Sequence, residues 1–114
     1  MNFLGVYVLN AGLKRLLRIG VDRVNQHVSS LVDKLYEGLT DLGYTVATPQ
    51  DRRYRCHSLS LKMSDAQAGY RYFQENGVFL SFSGGRFVRV SVAPFTIEED
   101  VQKLLDVARN CPVR

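Results

Sequence analysis

The chain has 114 residues, with 15 Lys and Arg against 11 Asp and Glu and a formal net charge of +4. Hydrophobic residues make up 46% and charged residues 23%, a mixture typical of one globular domain, which excludes wholesale disorder. No apolar run approaches the roughly 20 residues of a membrane-spanning helix. Acidic residues are interspersed with the basic ones and no block of five cations occurs, so nucleic-acid binding is the least favoured function class.

Cysteine and histidine are too sparse to predict a disulfide framework or a metal site. Cys56 and Cys111 are the two cysteines, and neither has a metal-ligand spacing with His27 or His57. The first residues lack the basic stretch of a signal peptide, so we expect no export signal, a cytoplasmic location and free thiols. Cys56 beside His57 suggests a reactive thiolate pair, but adjacent strand residues point to opposite faces, which disfavours it.

Two helices are predicted at the start of the chain. Apolar residues between Leu4 and Arg18 recur at helical spacing, although two glycines weaken this segment. From Val21 to Leu42 a single apolar stripe recurs every three or four residues, which is the clearest helical signal in the sequence. The members of that stripe are Val21, Val24, Val28, Leu31, Leu35, Leu39 and Leu42. Gly43 follows as the expected left-handed cap.

Four short strands and two more helices are predicted beyond Gly43. The strands cover residues 44–48, 57–63, 78–83 and 87–92, and Gly84-Gly85 forms the turn between the last two. Capping boxes that begin at Ser64 and Thr96 predict two helices, the first ending at residues 76–77 and the second stopped by Pro112. This order predicts an α+β two-layer sandwich: a mainly antiparallel sheet of about four strands, helices on one face, and an N-terminal helix pair before it.

Arg89 is the candidate functional residue that the strand pattern singles out. Val88, Val90 and Val92 alternate with it, so its side chain is expected on the sheet face that the helices leave open. A guanidinium there is either a solvated surface group or a bidentate ligand for a carboxylate held above the sheet. Periodicity alone favours the solvated group. Arg86, near the turn, is a weaker candidate of the same kind.

Five segments occur in a characteristic order across nearly the whole chain. They are Ile19-Gly20-Val21-Asp22-Arg23-Val24, Leu35 to Leu42 with Gly43-Tyr44, Glu75-Asn76-Gly77-Val78, Arg89-Val90-Ser91, and Thr96-Ile97-Glu98-Glu99-Asp100-Val101. Together they resemble the C-terminal part of class V aminotransferases, which are fold-type I enzymes dependent on pyridoxal phosphate. The epimerase- and lyase-like branch is the most similar, and the cysteine desulfurases are more distant.

The resemblance implies that residues 21–114 are the small domain of such an enzyme and that residues 1–20 are the helix linking it to the large domain. In the family, the Schiff-base lysine and the other cofactor-binding residues lie in the large domain. The resemblance therefore implies that this chain has no catalytic or cofactor-binding residue and that pyridoxal phosphate belongs to the intact enzyme. It also implies that Arg89 binds the substrate carboxylate.

This chain departs from the family pattern at two places. Val92-Ala93-Pro94-Phe95-Thr96 replaces an aromatic-Asn-Thr stretch that often forms one wall of the site. The connection from Phe82 to Arg89 is short and has no cysteine, which disfavours desulfurase chemistry.

Two functions stay open at this point. The chain is either part of an enzyme that works with a large domain in trans, or a stand-alone binding module without catalysis. Met1 just ahead of the first helix suits the second, as the start of an independent reading frame. Large apolar patches are uncommon on monomers, so in that case we expect a homo-oligomer through the first helix. The apolar residues there are Phe3, Leu4, Tyr7 and Val8.

Overall fold

The computed structural model describes all 114 residues and contains four α-helices and one four-stranded sheet. In chain order the elements are α1 (Phe3–Ile19), α2 (Val21–Asp41), β1 (Thr45–Val46), β2 (Ser58–Lys62), α3 (Ala66–Glu75), β3 (Ser81–Ser83), β4 (Phe87–Ser91) and α4 (Glu98–Arg109). The predicted order of elements and the α+β sandwich are confirmed. None of the helices combines the length and the hydrophobicity that a membrane crossing requires.

The sheet is antiparallel throughout, and its strand order β1-β2-β4-β3 makes β2 and β4 the central strands. Leu59 lies opposite Val90 and Leu61 opposite Val88, and all four side chains are buried against the helices. Because strand side chains alternate, the residues between them point away from the helices. The sheet therefore has one covered face and one open face.

Three helices close the covered face. Their buried residues are Val28, Leu31, Val32, Leu35 and Leu39 of α2, Ala66, Gly69 and Phe73 of α3, and Val101, Leu104 and Ala108 of α4. The approach of α4 to α2 is close at Gly38, since a Cβ there would lie 2.7 Å from Cδ1 of Leu105 and that side chain would have to shift. In contrast, α1 has no buried residue.

The two outer strands are shorter than predicted. β1 starts after Tyr44, whose backbone N–H donates to the Leu39 carbonyl at the end of α2 instead of pairing in the sheet. β3 starts at Ser81, and the N–H of Val78, at the start of the predicted strand, donates to the Phe73 carbonyl. In both cases a hydrogen bond that completes a helix end takes a backbone group that the prediction assigned to a strand.

Both predicted helix caps are wrong by one residue. The carboxylate of Asp65, not the hydroxyl of Ser64, accepts the amide of Ala68 in the first turn of α3, at 2.9 Å. Before α4, the hydroxyl of Thr96 accepts the amide of Ala93, while Asp100 accepts the amide of Ile97 at 3.0 Å. Each helix therefore starts one residue later than its sequence signal indicated.

The buried hydroxyl of Tyr44 joins the start of the sheet to the last helix and gives a testable alkaline dependence. It donates to the Ala108 carbonyl at 2.8 Å, and burial, together with the Cys111 thiol, raises the pKa of Tyr44 well above its ordinary value. The unfolded chain ionises this tyrosine near pH 10, so its contribution to stability is present below about pH 10 and is lost as the pH rises further.

We expect Tyr44→Phe to lower the free energy of unfolding by about 1 kcal/mol at pH 8, because one buried hydrogen bond is lost. It should also weaken the loss of stability above about pH 10. Urea unfolding across this range measures both effects, with Tyr7→Phe on the exposed helix α1 as the control. The same alkaline loss in Tyr44→Phe as in the parent chain would contradict this account.

Candidate functional site

Arg89 lies at the middle of the open face of the sheet. It is in the centre of β4, directly opposite Ser60 of β2 on one side and Ser81 of β3 on the other. Its side chain is exposed, and the four ion pairs of the chain all involve other residues. The guanidinium is thus free to bind a ligand and has a hydroxyl side chain on each neighbouring strand.

The strand positions of the open face include no acidic residue. The side chains that point to this face are Thr45, Ser58, Ser60, Lys62, Ser81, Ser83, Phe87, Arg89 and Ser91. Lys62 and Arg89 are its charged members, and neither forms an ion pair. Two unpaired cations among hydroxyl groups favour the binding of an anion. The sequence placed Arg89 here, but its serine neighbours follow only from the strand register.

A groove of about 770 Å³ adjoins this face at the end of the sheet. Lys62 and Phe87 line it next to the open face, and the exposed Arg86 lines it near the β3–β4 turn. The groove also contains the Asp65 carboxylate, which is already the cap of α3. Arg86 therefore lies at the edge of the open face, whereas Arg89 lies at its middle.

Arg52, Arg53 and Arg55 form a basic cluster in the β1–β2 connection, and all three pair with carboxylates of this chain. Asp33 of α2 accepts hydrogen bonds from Arg52 and Arg55, and the Arg55 guanidinium stacks over the ring of Tyr36 at 5.3 Å from its centroid. The side chain of Arg55 is only 6% exposed. The neighbouring Arg53 binds Asp51 and holds the pKa of that carboxyl below its ordinary value. These contacts fasten the connection to α2.

The histidines and cysteines do not form a cluster with one another. His27 donates from Nε2 to the Thr96 carbonyl at 2.8 Å, which ties α2 to the segment before α4 and gives this histidine a structural contact. His57 and Cys56 are exposed, whereas Cys111 is buried. No group of three His, Cys, Asp or Glu side chains is arranged to hold a metal ion.

The Asp33 cluster yields a prediction about stability. Asp33→Asn leaves the nearly buried Arg55 without its counter-ion, and breaking such a pair costs about 3 kcal/mol of unfolding free energy. Thermal or urea unfolding measures the loss. Asp51→Asn, which breaks an exposed pair in the same connection, should have little effect. A loss in Asp33→Asn as small as the one expected for Asp51→Asn would show that the Asp33 contacts do not hold the connection.

Comparison with known proteins gives the family of this chain. The family model described as aminotransferase class-V matches residues 1–104. A solved NifS-like protein is similar in structure, with a TM-score of 0.67 and 19% identity over 77% of this chain and 28% of that chain. The serine palmitoyltransferase of Sphingomonas wittichii has a TM-score of 0.62 and 18% identity over 77% of this chain and 24% of that chain.

A serine palmitoyltransferase variant from S. paucimobilis, solved with a bound PLP–myriocin aldimine, has a TM-score of 0.64 and 12% identity over 81% of this chain and 25% of that chain. A comparison with curated proteins gives no match. The chain thus spans about a quarter of the length of these structures. Their low identities show a shared fold alone, but the family model covers most of the chain. The chain belongs to the class V aminotransferases, a family of enzymes that depend on pyridoxal phosphate.

Proposed function

We propose that this chain acts as the small domain of a pyridoxal-phosphate enzyme and that Arg89 binds the carboxylate of its amino-acid substrate. The observation that carries the proposal is the unpaired guanidinium at the centre of the open sheet face, between Ser60 and Ser81. A guanidinium binds a carboxylate through two parallel hydrogen bonds, and a flanking hydroxyl can donate a further one. Bound in this way, the substrate is held in one orientation over the sheet.

The lysines of the chain support a cofactor site in a separate large domain. A Schiff base requires an amine held inside a pocket that also binds the cofactor phosphate. Lys34 pairs with Glu98, and Lys103 approaches the Gly77 carbonyl at 3.4 Å. Lys14 and Lys62 are exposed. Because these residues do not fit the cofactor, we assign this chain the binding and orientation of the substrate and no covalent step.

Helix α1 supports the same assignment. One side of it carries an apolar stripe with helical spacing, of which Val6, Leu9, Leu13 and Leu17 are between 50% and 70% exposed. The apolar stripe of an amphipathic helix normally packs against a core. We propose that the large domain, on the same chain or another one, packs against this stripe. Residues 1–20 then form the link between domains, and residues 21–114 form the small domain.

A second candidate is a self-associating binding module without catalysis. In the first half of α1, Leu4 and Val8 lie on the side opposite this stripe, with Phe3 and Tyr7 between them and the stripe, and all four are at least 61% exposed. Burying such a patch is strongly favourable at about 25 cal/mol per Å². In a homo-oligomer, a second copy of the chain would cover this patch. A large domain and a second copy are therefore expected to contact different residues of α1.

The role proposed for Arg89 can be tested in an assembled enzyme. The chain is mixed with a class V large domain that carries the Schiff-base lysine, together with pyridoxal phosphate, and kcat/KM is measured for the amino acid processed. Arg89→Gln should lower kcat/KM at least about 30-fold, because a charge-assisted bond to the carboxylate is lost. Arg71→Gln, which removes a cation from the helix layer, is the matched control. Equal effects of the two variants, or no cofactor absorbance and no turnover on mixing, would contradict the proposal.

The next prediction tests whether a second copy of the chain packs against α1. In light scattering at high micromolar concentration, a self-associating chain gives an oligomer that Leu4→Gln/Val8→Gln converts to monomer. Asn10→Gln/Lys14→Gln, a pair of polar changes on the same helix, should leave the oligomer unchanged. A parent chain that is monomeric at this concentration would exclude the self-associating module.

A further inference from the structure

We infer that the open face selects a substrate with two acidic groups and that Lys62 binds the second one. This inference rests on the proposed role of Arg89 in binding the first carboxylate. It adds a specificity-determining residue on a neighbouring strand and names the substrate class as an amino acid with an acidic side chain, such as aspartate or glutamate.

The strand register places the two cations at a useful separation. Arg89 lies opposite Ser60, and Lys62 lies two residues further along β2 on the same face, opposite Phe87. Such diagonal neighbours in an antiparallel pair are roughly 7–8 Å apart, within reach of long side chains. The flexible ends of Lys62 and Arg89 can therefore approach two carboxylates that a short carbon chain connects.

Electrostatics favours a ligand of this kind. Lys62 and Arg89 are both exposed cations without ion pairs, on strands whose open-face positions include no acidic residue. Like charges on neighbouring strands repel each other. A monocarboxylate compensates only one of them, whereas a dicarboxylate compensates both. Ser60 is the cross-strand neighbour of Arg89 and the same-face neighbour of Lys62 on β2, so its hydroxyl can donate to either carboxylate.

The groove beside Lys62 provides space for the second acidic group. Its volume is about 770 Å³, its wall next to the open face includes Phe87, and Arg86 adds another cation. The nearby carboxylate of Asp65 accepts the Ala68 amide, which keeps it at the cap of α3. A side chain extending from Arg89 toward Lys62 thus enters an open space in which two cations, Lys62 and Arg86, outnumber the one carboxylate of Asp65.

The test is a titration of the 114-residue chain with succinate and with acetate, at constant ionic strength, followed by two-dimensional amide NMR. Succinate should bind at least about fivefold more tightly than acetate, the ratio expected for one additional solvent-exposed charge contact. Lys62→Gln should remove this preference. Lys103→Gln, which removes the same charge from the helix layer, should retain it, and Arg89→Gln should weaken the binding of both acids.

Each outcome decides between the two proposals. If succinate and acetate bind equally, or if Lys62→Gln and Lys103→Gln lower the preference equally, the second acidic contact is refuted while the role of Arg89 stands. If neither acid shifts the β4 amides in a way that Arg89→Gln removes, the carboxylate site and the acidic specificity fail together. The spectra of the variants report directly that each one is folded.

Discussion

The alternation of side chains along β2 and β4 is the constraint on which the rest of the structure depends. Leu59, Leu61 and Val88 are buried under the helices, and this commits Lys62 and Arg89 to the other face. A slip of one residue would bury a cation without a partner and expose the apolar side chains. Because an antiparallel sheet can present one face to water, the open face needs no covering helix and is available for a ligand.

Helix α1 differs from the rest of the chain because the core is complete without it. All the buried residues lie at or beyond Val28, and α1 is followed by Gly20, whose φ of 97° suits glycine. The predicted division between residues 1–20 and 21–114 stays a prediction. It is in keeping with a helix that contributes nothing to the core and presents apolar side chains outward. The open sheet face and α1 are thus two separate surfaces, one polar and cationic, the other apolar.

Sequence reasoning succeeded where one physical signal is repeated many times. The apolar stripe of α2 and the alternation in β4 each involve several residues, so the helix, the strand and the exposed position of Arg89 could be predicted. Single hydrogen bonds decided the rest. The cap at Asp65 and the late start of β3 after Val78 each depend on one contact that periodicity does not encode.

Contacts between distant residues were equally inaccessible from periodicity. The Asp33–Arg55 pair joins positions 22 residues apart, and the serines beside Arg89 follow only from the strand register.

The central proposal is that this chain orients a substrate while the reactive amine and the cofactor lie in another domain. Its most direct test is to add pyridoxal phosphate and a set of amino acids to the purified chain, then measure retained cofactor absorbance and amino-acid consumption. We predict neither; retained absorbance with turnover by the chain alone would contradict the account.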